Sequence, residues 1–449
     1  MRLPAICAAL AACALARPAP AATEIQFWHS MSGTLGERAV ELVEKFNASQ
    51  RDVRVVPVFK GSTEETTAAG LAVARTLGAP NVIQIAAADS ANMLAASNAF
   101  KPLYLLMAES AEKFDPKGLL PAFRDSYSDD RGRMLSLPFN GATAVFYYNK
   151  DVFRNARLDP DKPPRTWQEL QVAALAIRDG DAAPCGLTTD RPAWIHVENL
   201  SAWHNEPIAT RADGHAGAGV KLVFNGELLI RHLGLLSSWA KSEIFTYAGR
   251  ANEGESRFSK GECAMLTSSS AAYVDIARNA NFDLGVAPLP HYEEFPGAPY
   301  ATLAAGGSLW ALAGKKPAEY KGVARFFAFL MRPEVQAEWT RRTGFLAITT
   351  AAVDLARNFG GKGLRPDSEV AMKQLSGRRG LHSRGPRLVP LAKIRTIINE
   401  ELEAVWAQNK TPKDALDAAV ERGNELLRRD EQAREAIAPD RHRSKRHLR

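Results

Sequence analysis

Glu24-Ile-Gln-Phe-Trp-His29, Val53-Arg-Val-Val-Pro-Val-Phe59 and Asn81-Val-Ile-Gln-Ile85 are three short apolar runs, and what lies between them decides the fold. Each has strand length, is rich in β-branched or aromatic residues and is bounded by turn signals: Ser30 to Gly33, Gly61-Ser-Thr, and Ala79-Pro80. The intervening segments carry a helical pattern, predicting helices from about Leu35 to Asn47 and from the Gly61 turn to about Leu77. Strand, helix, strand, helix, strand implies a parallel sheet with helices on both faces. Ligands of such sheets bind beyond the carboxyl ends of the strands.

Working outward, further strands are expected near Met134 to Leu137, Ala144 to Tyr148, Cys263 to Leu266 and Ser308 to Ala313. Helices have readable starts. Thr166-Trp-Gln-Glu169 has the form of a capping box, and Thr411-Pro412 opens a helix reaching Arg428, with Thr as cap and Pro in the first turn. Lys321 to Met331 is another. The class is α/β, with an unusually helical last quarter. A chain of 449 residues exceeds one ordinary core, so two lobes are expected. No low-complexity linker separates them, which favours a hinge that the chain crosses several times.

The first 22 residues combine one early positive charge, a short apolar run and small residues around Ala21-Ala22, the form of a cleaved Sec-type export signal. Leu10-Ala-Ala-Cys13 resembles a lipoprotein-processing box, but the apolar run before Cys13 is short, so lipidation there is not expected. No later stretch offers about 20 consecutive apolar residues, so no spanning helix is predicted. Cys185 and Cys263 remain after export. In an oxidising compartment they form either one disulfide or two buried thiols, and without clustered histidines they do not suggest a metal site.

The formal charge of +7 is local. Arg2 and Arg17 leave with the signal, and the tail Arg441-His-Arg-Ser-Lys-Arg-His-Leu-Arg449 holds five further cations, so the body is near neutral. The tail reads as a solvated, disordered end rather than a nucleic-acid arm. Enzyme signatures are also missing: no His-Glu-x-x-His, no Gly-x-Ser-x-Gly and no Walker loop. Ser238-Trp-Ala-Lys241 fits a bare Ser-x-x-Lys pattern without its companions, and His29, His196 and His204 read as core or rim histidines. No catalytic residue, cofactor or metal is predicted.

Arg395 is out of place. Helical spacing puts it on one apolar stripe with Leu391, Ile398, Leu402 and Trp406. A guanidinium there can snorkel to water, pair with a glutamate of its own helix, or face a cleft and wait for an anion that suits its planar fork.

Blocks running in order across nearly the whole chain carry a resemblance. They include Phe27-Trp-His-Ser-Met31, Phe59-Lys-Gly61, Tyr147-Tyr-Asn-Lys150, Glu198-Asn199, Ser201-Ala-Trp203, Gly306 through Trp310, Thr343-Gly344 and Glu400-Glu-Leu-Glu403. The longest is Ala418-Ala-Val-Glu-Arg-Gly-Asn-Glu-Leu-Leu-Arg-Arg429. The chain resembles the periplasmic sn-glycerol-3-phosphate-binding proteins of Ugp-type ATP-binding-cassette importers, within extracellular solute-binding protein family 1.

That resemblance implies a monomeric, two-lobed, non-catalytic periplasmic receptor. It would close on a small anionic, phosphate-containing solute and dock on membrane permease subunits driven by a cytoplasmic ATPase. Lobe 1 would comprise residues 23–135 and about 300–345, lobe 2 about 136–299 and 346–435, with residues 436–449 as the basic tail. Phosphate would be held by Arg395, Ser269 and the Gly306 amide, with Trp194 as one wall.

The polyol end departs from the family pattern. Thr63 and Phe345 stand where tyrosines are expected, Ala87 replaces a glutamate, Ala142 a serine, and Arg191 a second tryptophan. A site built on hydroxyl recognition loses affinity when those partners vanish. Two ligand readings follow: glycerol 3-phosphate with waters in place of the lost groups, or a larger glycerophosphodiester or phosphorylated or sulfonated polyol. A secreted phosphodiester hydrolase is a distant third.

Overall fold

The computed structural model describes residues 22–437, apart from 75, 77, 97 and 359–362. The export signal, Cys13 and the tail beyond Ile437 lie outside the described residues.

Among the described residues ten strands are formed: β1 (Thr23–His29), β2 (Val53–Phe59), β3 (Val82–Ala86), β4 (Phe100–Lys101), β5 (Leu137–Ala142), β6 (Ala144–Asn149), β7 (Cys185–Thr189), β8 (Cys263–Ser269), β9 (Leu284–Ala287) and β10 (Ala305–Leu312). The first sheet runs β2-β1-β3-β10-β4, and β5 pairs with β10. The first three strands are parallel, as their helical crossovers require. The later β10 enters antiparallel between β3 and both β4 and β5, so the sheet is mixed rather than parallel throughout. The second sheet runs β7-β8-β6-β9, with only β7 and β8 parallel.

The predicted helices are present as Gly33–Ala48, Thr63–Val73, Pro317–Leu330 and Pro412–Ile437. The second ends at Val73, short of the expected Leu77. The Thr166 capping box forms: its hydroxyl accepts from Glu169 N at 3.1 Å, and the Glu169 carboxylate accepts from Thr166 N at 3.2 Å. Cys185 and Cys263 are disulfide-bonded across paired positions of β7 and β8, which decides between the two states left open by the sequence.

β5 and β6 belong to different sheets although only Thr143 separates them. A second crossing joins β9 to β10. The two crossings lie side by side, because Thr143 Oγ1 is 2.8 Å from Thr302 Oγ1 and donates to Leu303 O at 2.8 Å. The pairing of β5 with β10 ties residues 137–142 to the first sheet, later than the boundary expected near residue 135. Helix Thr350–Asn358 packs on Pro333–Thr343, whereas Pro366–Leu375 packs on β6 and β9, so these two helices belong to different lobes. The apolar stripe of Leu391–Trp406 is real. Leu391, Ile398, Leu402 and Trp406 are buried with Trp239 and Leu416 in the core beneath the second sheet. No described helix is long and apolar enough to cross a membrane.

Candidate functional site

A cleft of about 650 Å³ opens where the two sheets face each other. From the first side it is lined by the turn after β3, the start of helix Thr63–Val73 and the start of β10. From the second come the end of β8, the residues after β7 and helix Leu391–Trp406. Thr63, Arg191, Trp194, Ser269, Gly306, Phe345 and Arg395 all line it, as do Ala87 and Ala142. Residues up to 332 positions apart in the chain are therefore collected by topology at one place, beyond the carboxyl ends of β3 and β8.

Arg395 is neither snorkelling nor paired within its own helix. Its Nε donates to Glu198 Oε1 at 2.5 Å and its Nη2 to Glu198 Oε2 at 2.7 Å, a bidentate fork. Glu198 is 2% exposed and the Arg395 side chain 27%, so the carboxylate is the buried member and the guanidinium keeps an edge in the cleft. Burial opposes the arginine's charge, but the Glu198 carboxylate and, farther away, Asp89 outweigh it and raise the pKa. Asp89 sits at the head of the first lobe's contribution. Burial and the nearby Glu64 hold its pKa above the usual carboxylate value, against the pull of Arg395.

Glu198 and Trp194 are presented by one π-helical turn, Ala193–Asn199. Such turns recur at functional sites because the extra residue per turn re-aims side chains. Asn399 fixes it to the arginine's helix by accepting from Ala193 N at 3.0 Å. Trp194 is 6% exposed and packs on Ile195, Trp203 and Leu289, forming a rigid wall.

Ser269 ends β8. Its hydroxyl oxygen accepts from Ala271 N at 3.2 Å, which leaves its proton for another acceptor. Gly306 has φ +114°, and a Cβ there would stand 1.3 Å from Asn140 O, so only glycine fits this approach of β10 to β5. Phe345 follows Gly344, itself left-handed at φ +84°, and brings an apolar edge with no hydroxyl. Thr63 Oγ1 lies 3.4 Å from Ser30 Oγ at the opposite rim.

Arg191 turns out to be tethered. Its backbone is left-handed at φ +44°, a strained state for a non-glycine residue, and its Nη1 donates to Glu255 Oε1 at 3.3 Å. Glu255 also accepts from Ser268 Oγ at 2.9 Å and lies beside the fully buried Asp190. Sequence reasoning missed Glu198, Asp89 and this Asp190–Glu255 pair. Glu198 stood in a quoted block, yet nothing local links it to Arg395.

The cleft holds a fork, a hydroxyl and a glycine suited to an anion. It brings no histidine beside a nucleophile. His196, His204 and His232 are buried in the second lobe's core, and Ser238 and Lys241 lie exposed on a helix surface. Among the described residues no group of three or more His, Cys, Asp or Glu side chains could hold a metal ion.

Residues 41–360 match the family described as bacterial extracellular solute-binding protein. The chain is 43% identical over 417 residues to the sn-glycerol-3-phosphate-binding periplasmic protein UgpB of Yersinia pestis bv. Antiqua, covering 92% of this chain and 94% of that one. Its identity to UgpB of Pectobacterium atrosepticum is 42% over 435 residues, covering 96% and 97%. Among solved structures it is similar to UgpB from Mycobacterium tuberculosis in complex with glycerophosphocholine, with TM-score 0.76, 21% identity and coverage of 91% and 99%. It is also similar to the cyclic alpha-maltosyl-1,6-maltose binding protein from Arthrobacter globiformis, with TM-score 0.72, 22% identity and coverage of 90% and 99%. These last two likenesses concern the two-lobed fold.

Proposed function

The chain belongs to the bacterial extracellular solute-binding protein family, and from that premise we propose that it is the periplasmic receptor of an ATP-binding-cassette importer for sn-glycerol 3-phosphate or a related glycerophospho compound. The observation that carries the reading is the convergence of Arg395, Ser269 and Gly306 on one cleft with Trp194 as its wall. The Arg395 fork is pre-oriented by Glu198, the Ser269 proton is free to be donated, and Gly306 at the start of β10 admits an anion without bulk. The protein acts by binding and closure, as a monomer that hands its solute to permease subunits coupled to a cytoplasmic ATPase. It uses no covalent chemistry, cofactor or nucleic acid, and it reaches the periplasm by its Sec signal without lipid at Cys13.

A second ligand reading rests on volume and on lost hydroxyls. About 650 Å³ is room for ligands well above glycerol phosphate in size, since clefts of ~300–1,000 Å³ hold drug-sized molecules. Ala87, Ala142 and Phe345 offer no side-chain hydroxyl or carboxylate for a short polyol. Both features favour a glycerophosphodiester, and a protein of this fold from Mycobacterium tuberculosis carries glycerophosphocholine.

Thermal melting against glycerol 3-phosphate, glycerophosphocholine, a sulfonated triol and maltose tests this. Binding should raise the melting temperature in step with saturation, equivalent to about 2.7 kcal/mol at a hundredfold excess over Kd. A response to maltose alone would overturn the anion assignment. Phosphate or alcohol released from a phosphodiester would revive the hydrolase.

A further inference from the structure

Adjoining the main cleft, and sharing Ala87, Ala88, Trp194, Ala305 and Arg395 with it, lies a smaller chamber of about 70 Å³. Glu198 lines it beside Arg395, and so does Arg384-Gly-Pro-Arg387, in the segment that leads into the arginine's helix. Both wall arginines reach across to the first lobe. Arg384 Nη2 donates to Asp125 O at 3.1 Å and Arg387 Nη2 to Ser128 O at 2.7 Å. Their counter-charges are weak. Among the described residues no carboxylate pairs with Arg384, and Arg387 has Asp130, 3.7 Å away and 69% exposed, with Asp129 beyond ion-pair distance. Glu198 is hydrogen-bonded through both its oxygens to Arg395.

The chamber is thus a small, half-buried space with surplus positive charge, and such surplus is costly unless something compensates it. Three of its lining residues carry a buried polar atom without a partner. Tyr127 is 4% exposed and its hydroxyl bonds to nothing, Arg384 Nε is unpaired, and so is His215 Nδ1. His215 Nε2 lies 3.0 Å from Gly385 O, a carbonyl, so Nε2 carries the proton and Nδ1 is an acceptor. Burial and the two arginines hold this ring neutral, pushing its pKa down to about 4. Two guanidiniums, a phenol and one ring acceptor match an oxyanion that itself carries a proton. About 70 Å³ admits such a group, since a single water needs only ~10–15 Å³.

We propose that this chamber is a second anion subsite, binding a phosphate group through Arg384, Arg387 and Tyr127 while His215 Nδ1 accepts its proton. The phosphate is either free inorganic phosphate or the terminal phosphomonoester of a ligand whose first anionic group rests on Arg395. In either form it neutralises the wall arginines where they span the two lobes, and so favours the closed arrangement. The inference is independent of the identity of the main-cleft ligand.

Calorimetric titration of inorganic phosphate, glycerol 3-phosphate and a bisphosphorylated polyol into the full protein tests it. Inorganic phosphate should still bind at the chamber in the Arg395→Lys variant, whatever is lost at the main cleft, and weaken there about tenfold or more in an Arg384→Gln, Arg387→Gln double variant. Tyr127→Phe, which removes one hydroxyl and leaves the lobe contacts, should weaken it severalfold and keeps the question decidable if the double variant does not fold. Unchanged phosphate affinity in Tyr127→Phe and in the double variant overturns the proposal, as does phosphate binding that vanishes only with Arg395→Lys. Simultaneous binding of phosphate and glycerol 3-phosphate identifies the free ion as occupant. Tighter, competitive binding of the bisphosphate identifies a two-headed ligand. Failure of glycerol 3-phosphate alone would count against the main-cleft reading and leave the chamber standing.

Discussion

Arg395 and Glu198 are locked edge to edge, Nε to Oε1 at 2.5 Å and Nη2 to Oε2 at 2.7 Å, although 197 positions separate them in the chain. The pair orders the guanidinium before any ligand arrives, which removes part of the entropy cost of gripping an anion. It also makes the arginine structural. Alanine at 395 would strand a carboxylate that is 2% exposed, so Arg395→Ala should cost about 3 kcal/mol of unfolding free energy in urea titration as well as ligand response. Arg395→Lys keeps the charge beside Glu198 but not the planar fork. It should retain most of the stability while losing at least about tenfold in affinity for the main-cleft ligand. A stable Arg395→Ala protein would show that Glu198 is relieved by water or by protonation.

Gly306 is held to glycine by geometry. Its φ of +114° and the Asn140 carbonyl 1.3 Å from a would-be Cβ leave no room, and Asn140 cannot retreat because its Oδ1 accepts from Trp339 Nε1 at 3.1 Å. Gly306→Ala should destabilise by on the order of 3 kcal/mol or break the β5–β10 pairing. A calorimetric melt within a degree of wild type would contradict this.

The opening sheet was legible because local pattern and tertiary role agree there: β1, β2 and β3 are apolar strands joined by helices. β5 was misplaced, expected at 134–137 and found at Leu137–Ala142. Pro138 and Gly141 suppress strand propensity, but they are tolerated where β10 is the strand's one strand partner and the register shifts between Gly307 and Ser308. Site positions such as Thr63, Ser269 and Phe345 were reached through family resemblance rather than periodicity, and the cleft does bring them together. The Glu198 partner was invisible because ion pairs across 197 residues leave no spacing signal. The chamber formed by Arg384, Arg387 and Tyr127 needed coordinates for the same reason.

Acid should weaken the second lobe. His196 Nδ1 and His232 Nε2 are 2.9 Å apart, His232 continues to the Tyr292 hydroxyl at 2.9 Å, and His196 Nε2 reaches Thr189 Oγ1 at 2.9 Å. Both rings are fully buried. Burial lowers the pKa of His196 to about 3 and that of His204 to about 4. The unfolded chain takes up protons near the ordinary histidine value while the folded rings stay neutral. Stability is therefore full above about pH 6.5 and declines as pH falls toward the folded values. At pH 4.5 the loss should be about 2 kcal/mol per histidine, read as a lower urea midpoint than at pH 7. NMR titration showing these rings protonating near pH 6.5 in the folded protein would refute it.

The opposite slope should come from Asp190. Its Oδ1 accepts from Gly254 N at 2.9 Å, its Oδ2 has no partner, and the side chain is fully buried next to Glu255. Burial and then the Glu255 charge raise its pKa, against the nearby Ser268 hydroxyl and the attraction of Arg191. Because the folded pKa lies above the unfolded one, the associated stability is complete below the ordinary carboxylate range and is lost as pH rises through the folded value. Asp190→Asn preserves the acceptor for Gly254 and mimics the protonated acid. It should leave the melting temperature near wild type in mild acid and exceed it by a few degrees above pH 8, where the wild-type pair must carry two charges. Since Glu255 also tethers Arg191 at the cleft rim, the same variant should flatten any alkaline fall in ligand affinity. Parallel melting profiles for the two proteins from pH 5 to pH 9 would place the proton elsewhere.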